Sequence, residues 1–217
     1  PGLRTISARP SNKIVRGCAM LNRNENLITA EEACTLDGLF ARRVRRSTAR
    51  EAYTYYERSS KTWQSLSWAA MAAEVARWQQ ALAAEGLHGG DRVAIQLRNG
   101  PEWVAFDQAA LSLGLVTVPL YTDDRPENIA FILRDAEVCL LLVQDAGRWR
   151  RLAPHLADAP ALTRVLLLEA GDQAAALQAA DPRVRHVPAW LPASGGELLV
   201  RDQADPQALA SIVYTSG

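Results

Sequence analysis

Lysine is nearly missing from this sequence. Only Lys13 and Lys61 occur, and arginine supplies the other basic side chains. We read that as a compositional habit and not as a site. Neither sign of charge is in excess. Lys plus Arg number 24 and Asp plus Glu number 24, so the formal net charge of zero argues against a broad polyanion partner such as nucleic acid. Cysteine is scarce: Cys18, Cys34 and Cys139 are odd in number and widely spaced, with no C-x-x-C pair. His88, His155 and His186 lie far from all three in sequence. A disulfide framework and a zinc site are both poorly supported, and free thiols in a reducing cytoplasm are expected. No apolar run is long enough to cross a bilayer, and stretches such as 138–143 suit a buried strand. The first twenty residues carry scattered Arg and Lys without an apolar segment, so they do not read as a secretory signal. The chain begins with Pro1, and the expected natural start is either absent or close to Met20. No G-x-G-x-x-G and no G-x-x-x-x-G-K-[ST] occurs, which removes the simplest dinucleotide and nucleoside-triphosphatase motifs.

What is present is a rhythm. Hydrophobic residues make up 48%, enough for one sizeable core or two small ones. Residues 1–34 are expected to be a polar lead-in, and 35–217 a folded portion. A helix is predicted from Thr35, with Leu36, Leu39, Phe40 and Val44 on one face. Its later turns hold Arg42, Arg43, Arg45 and Arg46, where cations complement the negative end of the helix dipole. Segments 52–57 and 61–65 read as a strand pair around a Ser-Ser break. Ser67 is placed to cap a helix over 68–85, with Met71, Val75, Trp78 and Leu82 at helical spacing and Gly86 as its left-handed stop.

From Asp91 onward strands and helices alternate. Val93, Ile95 and Leu97 alternate in a strand. Asn99 with Glu102 suggests a capping box for a helix through Leu113. A strand over 116–120 follows. Asp124 with Glu127 repeats the capping pattern, and Pro126 fits the first turn of a helix reaching Asp135. Then come a strand at 139–143, a helix at 148–156 and a strand at 164–168. Residues 170–204 read as looser connection, and 208–214 as a last strand. Such alternation predicts an α/β fold with a largely parallel sheet. The final residues, Tyr214, Thr215, Ser216 and Gly217, run from an apolar strand into a hydroxyl-and-glycine turn. Glycine lets backbone N–H groups approach a phosphate and hydroxyls donate to it, so these four are the candidate nucleotide-binding residues.

Three segments sharpen that reading. Gly90-Asp91-Arg92-Val93-Ala94-Ile95, then Asn99-Gly100-Pro101-Glu102-Trp103, then Gly114-Leu115-Val116-Thr117-Val118-Pro119-Leu120-Tyr121 resemble, in this order, the AMP-forming acyl-CoA synthetases. That superfamily also holds luciferases and peptide-synthetase adenylation domains. Its phosphate loop typically reads Tyr-Thr-Ser-Gly-Thr-Thr-Gly-x-Pro-Lys-Gly, and residues 214–217 match the first four positions. The resemblance covers roughly residues 35–217. It implies the N-terminal portion of the adenylate-forming large domain and a parent ligase that uses ATP, Mg2+ and coenzyme A. Glu102 and Trp103, followed by Val118 to Tyr121, look most like the long-chain fatty-acid type. Peripheral association with the inner face of a membrane would follow from such a substrate. The matched residues read as structural: Asp91 as a turn former, Glu102 as a cap, Trp103 as a core anchor, Pro119 and Tyr121 as shapers of a strand exit. No catalytic residue and no metal ligand is assigned, and a piece ending in the loop is expected to be inactive alone. Two other classes compete: a non-catalytic relative acting as a binding or regulatory module, and an adenylating enzyme that hands its acyl group to a carrier protein.

Overall fold

The computed structural model describes residues 27–201 and 204–215. The lead-in up to residue 26, Cys18, Ser216 and Gly217 lie outside the described residues. The described residues open with a short helix, α1 (Ala30–Ala33), inside the span expected to be lead-in; it is held by a reciprocal box in which Thr29 caps the Glu32 N–H and Glu32 returns to Thr29. Thr35 then caps α2 (Leu36–Ser47) through the Gly38 N–H. The helix forms as expected, but its inner face is rotated. Leu36 and Leu39 are 56% and 40% exposed, while Asp37, Phe40, Ala41 and Ser47 are buried. The hydrophobic stripe misled because the buried register includes an aspartate. Asp37 is kept inside by Arg201, at 3.3 Å from across the chain.

Strands β1 (Glu51–Glu57) and β2 (Thr62–Ser67) form an antiparallel hairpin with Tyr56 opposite Trp63. Lys61, read as the first strand residue, instead sits in the turn with φ 52°. Ser67 caps α3 (Trp68–Ala83) through the Ala70 N–H, and Gly86 takes φ 72° just beyond it, both as the sequence predicts. The main sheet follows: β3 (Arg92–Gln96), α4 (Pro101–Ser112), β4 (Val116–Pro119), α5 (Pro126–Asp135), β5 (Leu140–Asp145), α6 (Ala146–Leu152), β6 (Arg164–Glu169), α7 (Ala174–Ala180), β7 (Val184–His186) and α8 (Val187–Trp190). The five strands lie in the order β4-β3-β5-β6-β7, and every pairing is parallel.

Period-two alternation sends Val93, Ile95, Leu140, Leu142 and Leu166 to one face, against Met71, Trp78 and Leu82 of α3 and Phe106 of α4. It sends Ala94, Val118, Leu141, Val143, Val165 and Leu167 to the other, against Ile129 and Leu133 of α5 and Trp149 and Leu152 of α6. Both faces are covered, as parallel strands require. Trp78 meets Phe106 edge-on at 5.5 Å and lies 5.7 Å from Trp190.

Several local expectations are corrected. Helix α4 starts at Gly100 without a side-chain cap, so Asn99 is not its cap; Pro101 in the first turn needs no N–H partner. Helix α5 likewise has Arg125 at its cap position, although Pro126 does stand in its first turn. Asp124 contributes indirectly by accepting from the Arg125 N–H and from Asn128. Residues 170–204 are not merely connection. They contain α7, β7 and α8, which the sequence hides because β7 is only three residues long and only Val184 of it is buried. Conversely, 208–214 does not form a ladder. It makes a single parallel bridge, Ser211 to Thr117, on the free edge of β4.

The stretch after α8 is pinned by a buried amide. Gln79 on α3, fully inside, accepts from the Leu199 N–H and donates to the Leu199 carbonyl, both at 2.9 Å, and donates also to Ser112 on α4. Gly195 lies so close to α3 that a Cβ would come within 2.6 Å of the Arg77 nitrogen.

Candidate functional site

The sheet order contains a reversal. From β3 the chain crosses to β4 on one side and then to β5 on the other. Helix α4 packs on one face and α6 on the opposite face, so the connections leaving β3 and β5 diverge at their carboxyl ends. In open α/β sheets that divergence is where ligands bind. A cavity of about 750 Å3 lies there, lined by Leu97 to Glu102 after β3, Gln144 at the end of β5, and Leu168 and Glu169 at the end of β6. Its roof is the hairpin, through Tyr53 to Arg58.

The floor of the cavity is a polar chain. The Arg98 N–H donates to Gln144 Oε1 at 3.1 Å, and Gln144 Nε2 donates to Glu169 Oε1 at 2.6 Å. This chain joins the ends of three adjacent strands through a buried amide. Tyr53 faces the cavity from the roof; burial pushes its phenol up, and the Asp107 charge adds to the effect. Burial likewise pushes the Asp107 carboxyl up, against the pull of hydrogen bonds from Thr117 and Gln108.

The terminal segment lies on the β4 edge. The Thr117 N–H donates to the Ala210 carbonyl at 3.0 Å, and the Thr117 carbonyl accepts from the Ile212 N–H and from the Ser211 hydroxyl, both at 2.9 Å. Ile212 and Tyr214 turn inward against the core, whereas Val213 is 64% exposed. The Tyr214 hydroxyl donates to Asp135 Oδ2 at 2.6 Å. Partial burial, and then the carboxylate, push that phenol up to about 12. Thr215 is exposed. Of the four candidate nucleotide residues, then, Tyr214 has its hydroxyl engaged, Thr215 is open to solvent, and Ser216 and Gly217 are outside the described residues. Among the described residues no group of three or more His, Cys, Asp or Glu is arranged to hold a metal ion. Cys34 and Cys139 are free thiols.

Comparison with known proteins decides the family. The profile of a family described as AMP-binding enzyme matches residues 40–217. The chain belongs to that family. A long-chain-fatty-acid–CoA ligase of Mycobacterium bovis, FadD15, is 29% identical over 166 residues, covering 76% of this chain and 27% of that protein. A 3-hydroxybenzoate–CoA ligase of an Aromatoleum species is 26% identical over 155 residues, covering 70% of this chain and 27% of that protein. The chain therefore spans about a quarter of the length of these relatives. Among solved structures, the anthranilate CoA ligase AuaEII in complex with anthranoyl-AMP superposes with a TM-score of 0.72 at 18% identity, over 88% of this chain and 34% of that one. That likeness is one of fold: the five-stranded parallel sheet is the N-terminal architecture of adenylate-forming enzymes.

Sequence reasoning missed the cavity at the β3–β5 divergence. The signal available was the Gly90 to Trp103 segment, which was read for its motif and not for the crevice it borders. Gln144 gave no signal, because an isolated polar residue ending an apolar strand looks like a boundary.

Proposed function

We propose that this chain is the opening portion of an AMP-forming acid–CoA ligase whose acid is a long-chain fatty acid. The observation that carries this is the order of three matched segments, 90–95, 99–103 and 114–121, followed by 214–217, inside the span of the family match. In the reaction proposed, a carboxylate oxygen attacks the α-phosphorus of ATP and pyrophosphate leaves. The coenzyme A thiol then attacks the acyl carbon of the acyl-adenylate, AMP leaves, and the thiol proton passes to solvent. Positioning and charge neutralisation supply most of the acceleration in such phosphate chemistry.

This chain's part is scaffolding. The edge bonds to Thr117 hold residues 210–212 in place, and Thr215 is exposed just beyond Tyr214. The described residues do not by themselves suit a triphosphate with its Mg2+, since Tyr214 is engaged and no ligand cluster is present among them. Residues 1–217 alone are accordingly expected to be inactive.

The fatty-acid reading draws on the relatives named as fatty-acid ligases. An aryl acid is the second reading, because a 3-hydroxybenzoate–CoA ligase matches at similar identity. Acid-dependent ATP–pyrophosphate exchange on the intact protein separates them: palmitate should support exchange, and 3-hydroxybenzoate should not. Exchange with the aryl acid alone would reverse the assignment, and exchange with neither would remove it. No helix among the described residues is long and apolar enough to cross a membrane. Any membrane association of the intact protein is accordingly expected to be released by a salt or carbonate wash. The reading frame past Gly217 is expected to continue Thr-Thr-Gly-x-Pro-Lys-Gly or a close variant. Desolvating several phosphate charges needs further small residues and a cation. A continuation without glycine, hydroxyl residues and lysine would contradict the proposal.

A further inference from the structure

We propose that Tyr214 and Asp135 form a clasp that fixes the backbone at residue 214, making Tyr214 a positioning residue and not a phosphate contact. The inference rests on the adenylating function proposed above and assigns a task to one residue of its nucleotide site.

Three observations carry it. Residues 210–212 are held by the Thr117 backbone, and among the described residues this pairing with β4 is a single bridge. Beyond that bridge a second restraint is needed if residue 214 is to keep a defined place. The Tyr214 hydroxyl supplies one by donating to Asp135 Oδ2 at 2.6 Å, across 79 residues of sequence. The ring supplies another by packing with Ile212 against the core, while Val213 between them points out. Asp135 is also oddly placed for a surface carboxylate. It is the last residue of α5, where the helix dipole disfavours negative charge. A short hydrogen bond from a phenol offsets that penalty. A hydroxyl used in this way is not available to a phosphate oxygen, and the first donor left for the ligand is Thr215.

The test uses the intact protein, including the residues after Gly217, in acid-dependent ATP–pyrophosphate exchange with MgATP varied. Tyr214→Phe and Asp135→Ala should each raise the KM for ATP about three- to tenfold, as expected for losing one charge-assisted hydrogen bond near the surface. The kcat should change less. The double variant should be no worse than the more affected single one, because both remove the same bond. Asp135→Asn keeps an acceptor but loses the charge and should fall between the unmodified protein and Asp135→Ala. If Tyr214→Phe impairs ATP use while Asp135→Ala does not, the hydroxyl meets the phosphate directly and the clasp is overturned. Unchanged KM in both single variants, or effects that multiply in the double one, would overturn it as well. Thermal unfolding of each variant guards against a folding defect. Should Asp135→Ala unfold, Asp135→Ser, whose side chain is too short to reach the phenol, takes its place in the same comparison. Absence of exchange in the unmodified protein would overturn the adenylating function and the clasp together, an outcome distinct from an active protein indifferent to these substitutions.

Discussion

The parallel sheet and the β1–β2 hairpin are built from similar β-forming residues, yet they differ in what covers them. Strand β5 is apolar throughout its first four residues, and Leu140 to Val143 are fully buried between two helical layers. The hairpin presents Tyr56 at 48% and Trp63 at 70% exposure, packed edge-on against each other at 5.6 Å. Its inner side roofs the cavity at the strand ends, and its outer side meets solvent. The sheet is a finished layer structure. The hairpin is an arm anchored at one end, where Tyr53 reaches Trp68. Burial, and not strand propensity, should therefore set the energetic weight of an aromatic or aliphatic residue here.

Four measurements test that contrast. The largest effect is expected at the sheet centre. Leu141→Ala removes a fully buried side chain flanked by β3 and β6 and should lower unfolding free energy by about 3 kcal/mol, from lost transfer energy plus a cavity. Denaturant unfolding gives the value, and a loss under about 1 kcal/mol would mean the layer is not packed as described.

Next comes Gln79→Ala. It removes the partner of the Leu199 N–H and carbonyl and the bond that the Ser112 oxygen accepts, while the Ser112 hydroxyl still donates to Ala109, with an expected loss of about 2 kcal/mol. Proteolysis near residues 191–201 should accelerate in parallel. Unchanged cleavage there would show that the amide does not hold this stretch.

Asp107→Asn tests an electrostatic consequence of burial. Because burial raises the Asp107 carboxyl above its ordinary value, the folded state holds its proton more tightly than the unfolded state. Stability from this group is full below the ordinary carboxylate pKa and is lost as pH rises through the raised value. The asparagine variant should therefore gain on the unmodified protein between acid and neutral pH. A gap that is flat or that narrows over this interval contradicts the assignment.

The smallest effect belongs to the arm. Trp63→Ala should change stability by no more than about 0.5 kcal/mol, as for other exposed substitutions. A loss comparable to that at Leu141 would break the comparison and imply a cover for the hairpin's outer face.

Much of this was legible in advance. Leu140 to Val143 read as a buried strand because four consecutive apolar residues have no solvated face to show. Met71, Val75, Trp78 and Leu82 read as one helix face, and all four are buried. Ser67 and Gly86 marked their helix ends correctly, because capping and left-handed turns depend on near neighbours alone. The errors fell where a partner distant in sequence decides. The inner face of α2 follows from Asp37 meeting Arg201, 164 residues away, and no local pattern contains that pairing. Strand β7 exists because β6 offers it an edge. The caps assigned to Asn99 and Asp124 failed because a proline two positions later, at Pro101 and Pro126, sets the helix start.

For the proposed nucleotide site, the sequence by itself determined the residue types and their order. Hydroxyl and glycine residues after an apolar run, behind three matched segments, are properties of neighbours along the chain. Only the tertiary structure decided which groups are free to act. It committed the Tyr214 hydroxyl to Asp135, left Thr215 in solvent, and opened a cavity between β3 and β5 by sending their following helices to opposite faces. Those outcomes depend on distances between residues far apart in sequence. They are fixed only when the layers pack, because packing selects which polar groups find partners and which remain exposed.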